Sequence, residues 1–271
     1  MTARTDLVGR LAVVSGAGSG IGAGLAAEAA ARGMRVLALD IDADRLAALE
    51  AALGADNVRG AVVDVSDPDV VARVAREAVE AWGPAALVCC NAGIEFAGRT
   101  WDMTPAQWRR LQGINVDGAF HLVRAFLPTT IADGRPAHVL MTSSVGGLAP
   151  GAGQAAYIVS KYAVRVLAQC LREDLAEAGH PVGVSVLLPG PVRTNIFADA
   201  TSSGESGEGL RGSLASMLDE HGTDPRDVAV LALDAVEAGR FWVHPHPDFS
   251  AAFIEAQHEE LAGGLSARSR G

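Results

Sequence analysis

Positive charge is in short supply in this 271-residue chain: 22 Lys and Arg stand against 32 Asp and Glu, for a formal net charge of −10. Such a surface repels a phosphate backbone on average, which argues against nucleic acid as a partner. Cysteine is rarer still, at three: Cys89 and Cys90 are adjacent in an apolar run, and Cys170 lies far off. That pattern offers neither an even disulfide framework nor metal-ligand spacing, so all three are read as small buried hydrophobes of a reducing compartment. No apolar run reaches the ~18 residues of a membrane span, and the opening MTARTDLVGR has no apolar segment ahead of a small-residue cleavage site. A cytoplasmic protein without a membrane partner is expected. Aromatics make up only 5%, so the core has to be aliphatic.

What is abundant is aliphatic side-chain surface. Hydrophobic residues reach 49% and charged residues 20%, which excludes disorder for most of the length. Residues 1–271 suit one large domain better than two. Short apolar runs recur at 11–14, 36–39, 58–63, 86–90, 138–141, 182–188 and, more weakly, 241–243; stretches of helical period such as 21–32 and Pro68–Trp82 separate them. Continuously apolar strands are buried on both faces, and alternation with helices implies right-handed βαβ crossovers. The fold class is therefore α/β, a single doubly wound parallel sheet of about seven strands with helices on both faces. Two segments break the rhythm. The Gly/Ser-rich stretch 201–213 is read as a loop, the centre of a mobile substrate cover over 195–224, and the tail 263–271 as a frayed end.

Directly after the first run comes Ser15-Gly16-Ala17-Gly18-Ser19-Gly20-Ile21-Gly22, opening a helix. A pyrophosphate at a helix N-terminus needs exposed backbone N–H groups and no Cβ in the way, so glycines are required there. A glycine cluster alone also suits a tight structural turn. Its position between a strand and a helix, with Asp40 closing the second strand, points to a dinucleotide. A carboxylate at Asp40 accepts both ribose hydroxyls of NAD and repels the 2′-phosphate of NADP, and Ser19 supplies no counter-charge. NAD is favoured. The competing role for Asp40 is capping the helix 42–53, which Asp42 also suits, and Arg45 is the residue that would overturn the coenzyme choice.

Farther on, the i,i+4 spacing of Tyr157 and Lys161 sets a phenol and an ammonium on one helix face. At ~4 Å and an effective dielectric of ~20, the Lys charge is worth about 4 kcal/mol, or roughly three pKa units, enough to bring a tyrosinate into working range. Such a pair also occurs by chance.

Taken together, Gly16-x-x-x-Gly20-x-Gly22, Asp64-Val65, Asn91-Ala92-Gly93, Asn115, Ser144, Tyr157-x-x-x-Lys161, and Pro189-Gly190 with Thr194 resemble the short-chain dehydrogenase/reductase family over roughly residues 8–200. The resemblance implies a Rossmann-fold oxidoreductase with NAD or NADP. Its spacing selects Ser144 over Ser143, which becomes a strand-end hydroxyl. It implies that Ser144 holds the substrate oxygen, Tyr157 exchanges the proton, and Lys161 tunes Tyr157 and holds the nicotinamide ribose. Asn115, placed within the long fourth helix, is implied as a water anchor of a proton relay; a polar residue bonding helical backbone is its alternative. Cofactor contacts are implied for Gly16, Ser19, Gly20, Ile21, Gly22, Asp40, Asp64 (adenine), Val65, Asn91, Ala92, Gly93, Pro189, Gly190, Val192 and Thr194 (carboxamide). Ser15 replaces a more usual Thr, and residues 240–247, RFWVHPHP, replace a common Gly-rich ending, which puts the usual tetramer contact in doubt. His244 and His246, flanked by prolines, are read as a rigid loop, with no metal expected.

In this family the pocket is walled by loops after the fourth, fifth and sixth strands. Val145, Leu148, Pro150, Val192, Ile196 and Phe197 are apolar, Arg193 is isolated, and Glu95 and Gln154 are either one polar contact or rim residues. The expected substrate is an uncharged, fairly hydrophobic secondary alcohol or ketone. The alternatives are an NADP-dependent 3-oxoacyl-type reductase, which Asp40 and the net charge oppose, and a non-catalytic NAD sensor. Aliphatic surface at Phe120, Val123, Phe126, Val164, Leu167 and Leu171 further suggests a homodimer or homotetramer.

Overall fold

Every apolar run of the sequence becomes a strand of one sheet, because each is flanked by chain that can cover both of its faces. The computed structural model describes residues 7–266. In it β1 (Leu11–Ser15), β2 (Arg35–Asp40), β3 (Val58–Val62) and β4 (Ala85–Cys90) are followed by a short β5 (Phe96–Ala97), then β6 (Ala137–Thr142), β7 (Val182–Leu187), a short β8 (Thr201–Ser202) and β9 (Trp242–Val243). The large sheet has the order β3-β2-β1-β4-β6-β7-β9, with every neighbour pair parallel. β1, β4 and β6 are buried at every position.

Alternate residues of each strand feed two cores. Leu11, Val13, Val88, Cys90 and Met141 pack against α3 (Pro68–Trp82), α5 (Gly118–Asp133) and α6 (Ala155–Glu177). Ala12, Val14, Leu87, Cys89 and Leu140 pack against α1 (Gly20–Ala31), α2 (Ala43–Leu53) and α8 (Pro225–Glu237). The adjacent cysteines thus point to opposite layers. Cys170, expected to be buried, is exposed, since its position on α6 turns away from the sheet. Fully buried side chains such as Phe126 and Leu25 each contribute about 1.5–3 kcal/mol.

Three further departures have physical causes. The expected long fourth helix is broken into α4 (Pro105–Gln112) and α5 by a π-helical turn, Gly113–Asp117. Just past it Gly118 packs so closely on Val65 that a Cβ would stand 2.6 Å from its Cγ2. The stretch expected as a loop at 201–213 instead forms β8, which pairs with β5, and the start of α7 (Gly204–His221). Tertiary contact overrides weak propensity there: Gly207 lies against the Ala97 carbonyl, and Leu218 is buried. The tail continues as helix α9 (Pro247–Ser266), and 267–271 lie outside the described residues. On α5 and α6, Phe126 and Val164 belong to the core, while Phe120 (49% exposed), Val159 (46%) and Val166 (47%) carry the outward apolar surface. Among the described residues no helix is long and apolar enough to cross a membrane.

Candidate active site

Strand order reverses on either side of β1, and the crevice this leaves at the carboxyl ends of the strands holds a cavity of about 340 Å³. Its floor is the turn from β1 into α1. Gly16 and Gly20 have φ of 66° and 52°, and a Cβ on Gly20 would meet Thr194 Cγ2 at 2.8 Å. Gly22 gives its space to the Gly16 carbonyl. Ser19 makes no side-chain cap, and no acidic residue stands in the first turn of α1. The helix's free N–H groups and dipole are left for an anion, so this cradle fits the pyrophosphate of a dinucleotide. Ser15 has a part that sequence reasoning missed. Its buried Oγ accepts from the Asn91 (2.9 Å) and Ala92 (3.0 Å) N–H groups and donates to the Cys89 carbonyl (3.2 Å), binding the ends of β1 and β4 together.

At the β2 end, Asp40 is half-buried, its Oδ2 accepting from Gly18 N–H (2.8 Å) and its Oδ1 from Asp42 N–H (3.0 Å). The helix cap belongs to Asp42, which accepts from the Asp44 and Arg45 N–H groups. Arg45 lines the cavity but is paired, with Asp42 at 3.2 Å and Asp199 at 3.3 Å. Asp64 and Val65 line the same end, and hydrogen bonds from Ser66 hold the Asp64 carboxyl below the usual range.

Across the crevice, α6 sets Tyr157 and Lys161 one turn apart. Lys161 Nζ lies 5.4 Å from the Tyr157 ring centroid and donates to the Thr142 carbonyl at 3.1 Å. Lys161 is the only lysine in the chain; every other basic residue counted with it is an arginine. Ser143 Oγ donates to the Lys161 carbonyl (2.7 Å), tying helix to strand end. Ser144 Oγ accepts from Gly146 N–H (3.1 Å) and donates to the Pro189 carbonyl (3.5 Å), and it stands near enough to Tyr157 to favour the ionised phenol. The expected lowering of Tyr157 by Lys161 is not found. Burial and the Glu95 charge push the phenol up, opposed only by Ser144. Burial also brings Lys161 down to about 8, so the ammonium that was to lower the phenol is itself disfavoured.

Asn115 stands in the π turn, buried, with both functions of its amide in use. Its Oδ1 accepts from Ile94 N–H (2.8 Å), and its Nδ2 donates to the Ile94 carbonyl (3.0 Å) and Ser160 Oγ (2.9 Å). Ser160 in turn donates to the Tyr157 carbonyl at 2.6 Å. Its partners are thus a loop backbone and α6 rather than its own helix.

The cavity lining includes Gly16, Ser19, Gly20, Ile21, Asp40, Asp64, Val65, Asn91, Ala92, Gly93, Tyr157, Lys161, Pro189 and Thr194. Gly22, Gly190 and Val192 lie behind it. Gly190 N–H donates to His246 Nδ1 (3.0 Å), and Val192 is packed in the core, bridged to Thr223. His246 also bonds Thr223, and His244 Nδ1 lies 2.8 Å from Ser250 Oγ. Of the expected apolar wall, Ile196 lines the cavity together with Ile94 and Ile114, while Leu148, Val192 and Phe197 are buried as core. Arg193 is held by the Gly222 carbonyl (2.8 Å). Glu95 is no rim residue: it is 1% exposed and lines the cavity. Its Oε1 accepts from Phe96 N–H at 3.1 Å and its Oε2 from Gln154 Nε2 at 3.4 Å, and burial raises its pKa to about 8.

A model of the short chain dehydrogenase family matches residues 10–204. The 1-deoxy-11-beta-hydroxypentalenate dehydrogenase of Streptomyces exfoliatus is 36% identical over 244 residues, 88% of this chain and 84% of that protein. A solved short-chain dehydrogenase/reductase from Burkholderia phymatum, in complex with NAD, superposes with a TM-score of 0.90 at 32% identity, covering 94% of this chain and 95% of its own. A metagenomic short-chain oxidoreductase in complex with NADP gives 0.70 at 30% identity, over 88% and 96% of the two chains. Matched in sequence over most of its length and in fold over nearly all of it, the chain belongs to the short-chain dehydrogenase family of oxidoreductases.

Proposed function

We propose that this oxidoreductase transfers a hydride between NAD and an uncharged, fairly hydrophobic secondary alcohol or its ketone. The observation that carries the reading is the meeting of Tyr157 and Lys161, with Ser144 at the end of β6 beside them, in one crevice with a glycine cradle and the Asp40 carboxylate. A nicotinamide bound there would supply the hydride acceptor. Ser144 Oγ holds the reacting oxygen, and Tyr157 takes the alcohol proton during oxidation or returns it during reduction. Lys161 biases that proton exchange and holds the ribose, and Asn115, fixed by its bonds to Ile94 and Ser160, would anchor a water that links Lys161 to solvent as a proton relay. Gly16, Ser19, Gly20, Ile21 and Gly22 would hold the pyrophosphate, Asp40 the adenosine ribose, Asp64 and Val65 the adenine. Asn91, Ala92, Gly93, Pro189 and Thr194 would bound the nicotinamide, with Gly190 and Val192 packed behind them.

The Streptomyces exfoliatus relative's name gives a hydroxylated carboxylate as substrate, which supports an alcohol, while the uncharged class rests on the apolar lining at Ile94, Ile114 and Ile196. Arg45 is the residue that favours NADP, and its pairing with Asp42 and Asp199 weighs against that. We further infer a cytoplasmic homodimer or homotetramer, with 195–224 moving as a substrate cover. The test is a panel of secondary alcohols and ketones with NAD and NADP in parallel, followed by reduced-nicotinamide absorbance. Tyr157→Phe is expected to lower turnover by about 10² or more while NAD affinity stays within about threefold, in keeping with the size of general acid–base catalysis. Turnover of no compound with either coenzyme, or a Tyr157→Phe enzyme keeping more than about a tenth of the rate, overturns the assignment.

A further inference from the structure

One polar group in the crevice has no part in the scheme above. Glu95 stands on the loop after β4, nearly solvent-free, in the wall of the same cavity as Tyr157 and Lys161. Its charge acts on both of those residues, which places it beside the reacting centre. An ionised carboxylate offers about four acceptor positions and the acid form adds a donor, whereas the hydrogen bonds it makes among the described residues are from Phe96 N–H at 3.1 Å and, as a long contact, from Gln154 at 3.4 Å. Bracing the loop at Phe96 needs one acceptor oxygen and no charge. A buried carboxyl kept beside that bond and otherwise under-supplied calls for a further partner, and the cavity is where that partner can come from.

We propose that Glu95, with Gln154 behind it, is a specificity-determining residue that reads a second hydroxyl on the substrate, so that the preferred compound is a secondary alcohol carrying another hydroxyl. The inference rests on the alcohol-dehydrogenase reading and narrows its substrate class. A hydroxyl is the fitting group because it both donates and accepts. It satisfies the carboxylate by donating and the carboxylic acid by accepting, and burial places Glu95 where both forms are populated near neutral pH. An ether or a second ketone can only accept, and a bare methylene leaves the carboxyl unpaired. A site built to bond a hydroxyl discriminates strongly against analogues that lack one.

The experiment compares kcat/KM for cyclohexanol, the 1,2-, 1,3- and 1,4-cyclohexanediols and their monomethyl ethers with NAD. The enzymes are wild type, Glu95→Leu and Glu95→Gln. For wild type, at least one diol is expected to exceed cyclohexanol by about tenfold or more, with its methyl ether losing that gain. In Glu95→Leu the ratio falls to near one, mainly through KM. Glu95→Gln, which still donates and accepts, recovers much of it. The hydroxyl-to-ether comparison in wild type needs no variant, so poor folding of Glu95→Leu does not protect the idea. Ratios near one for every diol in wild type, or a diol preference untouched in Glu95→Leu, overturn the assignment of Glu95 alone. Failure to oxidise any of the alcohols overturns the parent reading, and this one with it.

Discussion

Replacing Asp40 with Ala tests the coenzyme assignment where the structure makes it most exposed to refutation. The carboxylate is fixed by Gly18 N–H at 2.8 Å and Asp42 N–H at 3.0 Å, so it cannot swing away from an arriving phosphate without losing both bonds. A 2′-phosphate carries about −1.5 charge or more. At about 5 Å and an effective dielectric of ~20, each unit pair is worth about 3 kcal/mol, hence about 5 kcal/mol in all. Because Asp40 is only half-buried, solvent and salt should halve this, leaving about 2–3 kcal/mol, or roughly 30- to 100-fold against NADP. The lost charge-assisted ribose hydrogen bonds should weaken NAD by about 1.5–3 kcal/mol. The expected outcome is a fall of about 10³ in the NAD-to-NADP ratio of kcat/KM, measured at low and high salt, with the wild-type preference narrowing as salt rises. Ser19→Arg added to Asp40→Ala should raise NADP use further. An Asp40→Asn control keeps an acceptor for Gly18 without the charge, separating repulsion from loop collapse. A ratio within threefold of wild type in Asp40→Ala would refute the reasoning and leave Asp40 as a brace for the Gly18 turn.

The Glu95 carboxyl binds a proton more tightly in the folded chain than its ordinary pKa of 4.5, rising to about 8. Folded protein therefore holds the extra proton between those values, and stability from this group is lost as pH rises through them, by up to about 5 kcal/mol. Urea midpoints at pH 5 and pH 8 should accordingly diverge more for wild type than for Glu95→Gln, and equal shifts would contradict the burial argument. For assembly, Phe120→Asp with Val166→Asp, which place charge on side chains 49% and 47% exposed, should convert a micromolar dimer into monomer in light scattering; a wild type already monomeric would remove the premise.

How much of this could be read from the chain depends on how local the cause is. β1, β4 and β6 are legible because burial on both faces leaves an uninterrupted apolar run. The Gly16 turn is legible because a positive φ admits few residues other than glycine. Glu95 is ambiguous in the sequence for the opposite reason: its burial is a product of tertiary packing that also brings Gln154 to its side, which no spacing rule reports. The π turn at Asn115 has the same origin, since helical period continues through it and only the packing of Gly118 on Val65 marks the break. α7 forms against its composition because Gly207 fits closely on Ala97 and Leu218 is buried, contacts that outweigh glycine's poor helix propensity. In the sequence Ser15 is only a hydroxyl where a Thr is more usual, and the register of β1 against β4 reveals its three bonds.

The solitary status of Lys161 reaches beyond the reaction. Apart from an α-amino terminus, the chain offers amine-directed chemistry a single target, and that target is 3% exposed and bonded to the Thr142 carbonyl. Acetylation, ubiquitination or an amine cross-linker has no surface lysine to use, so marking this protein through a side-chain amine means reaching into the crevice itself. Coenzyme lying over the crevice would shield that amine, which makes the rate of its acylation a direct gauge of how much of the enzyme is loaded.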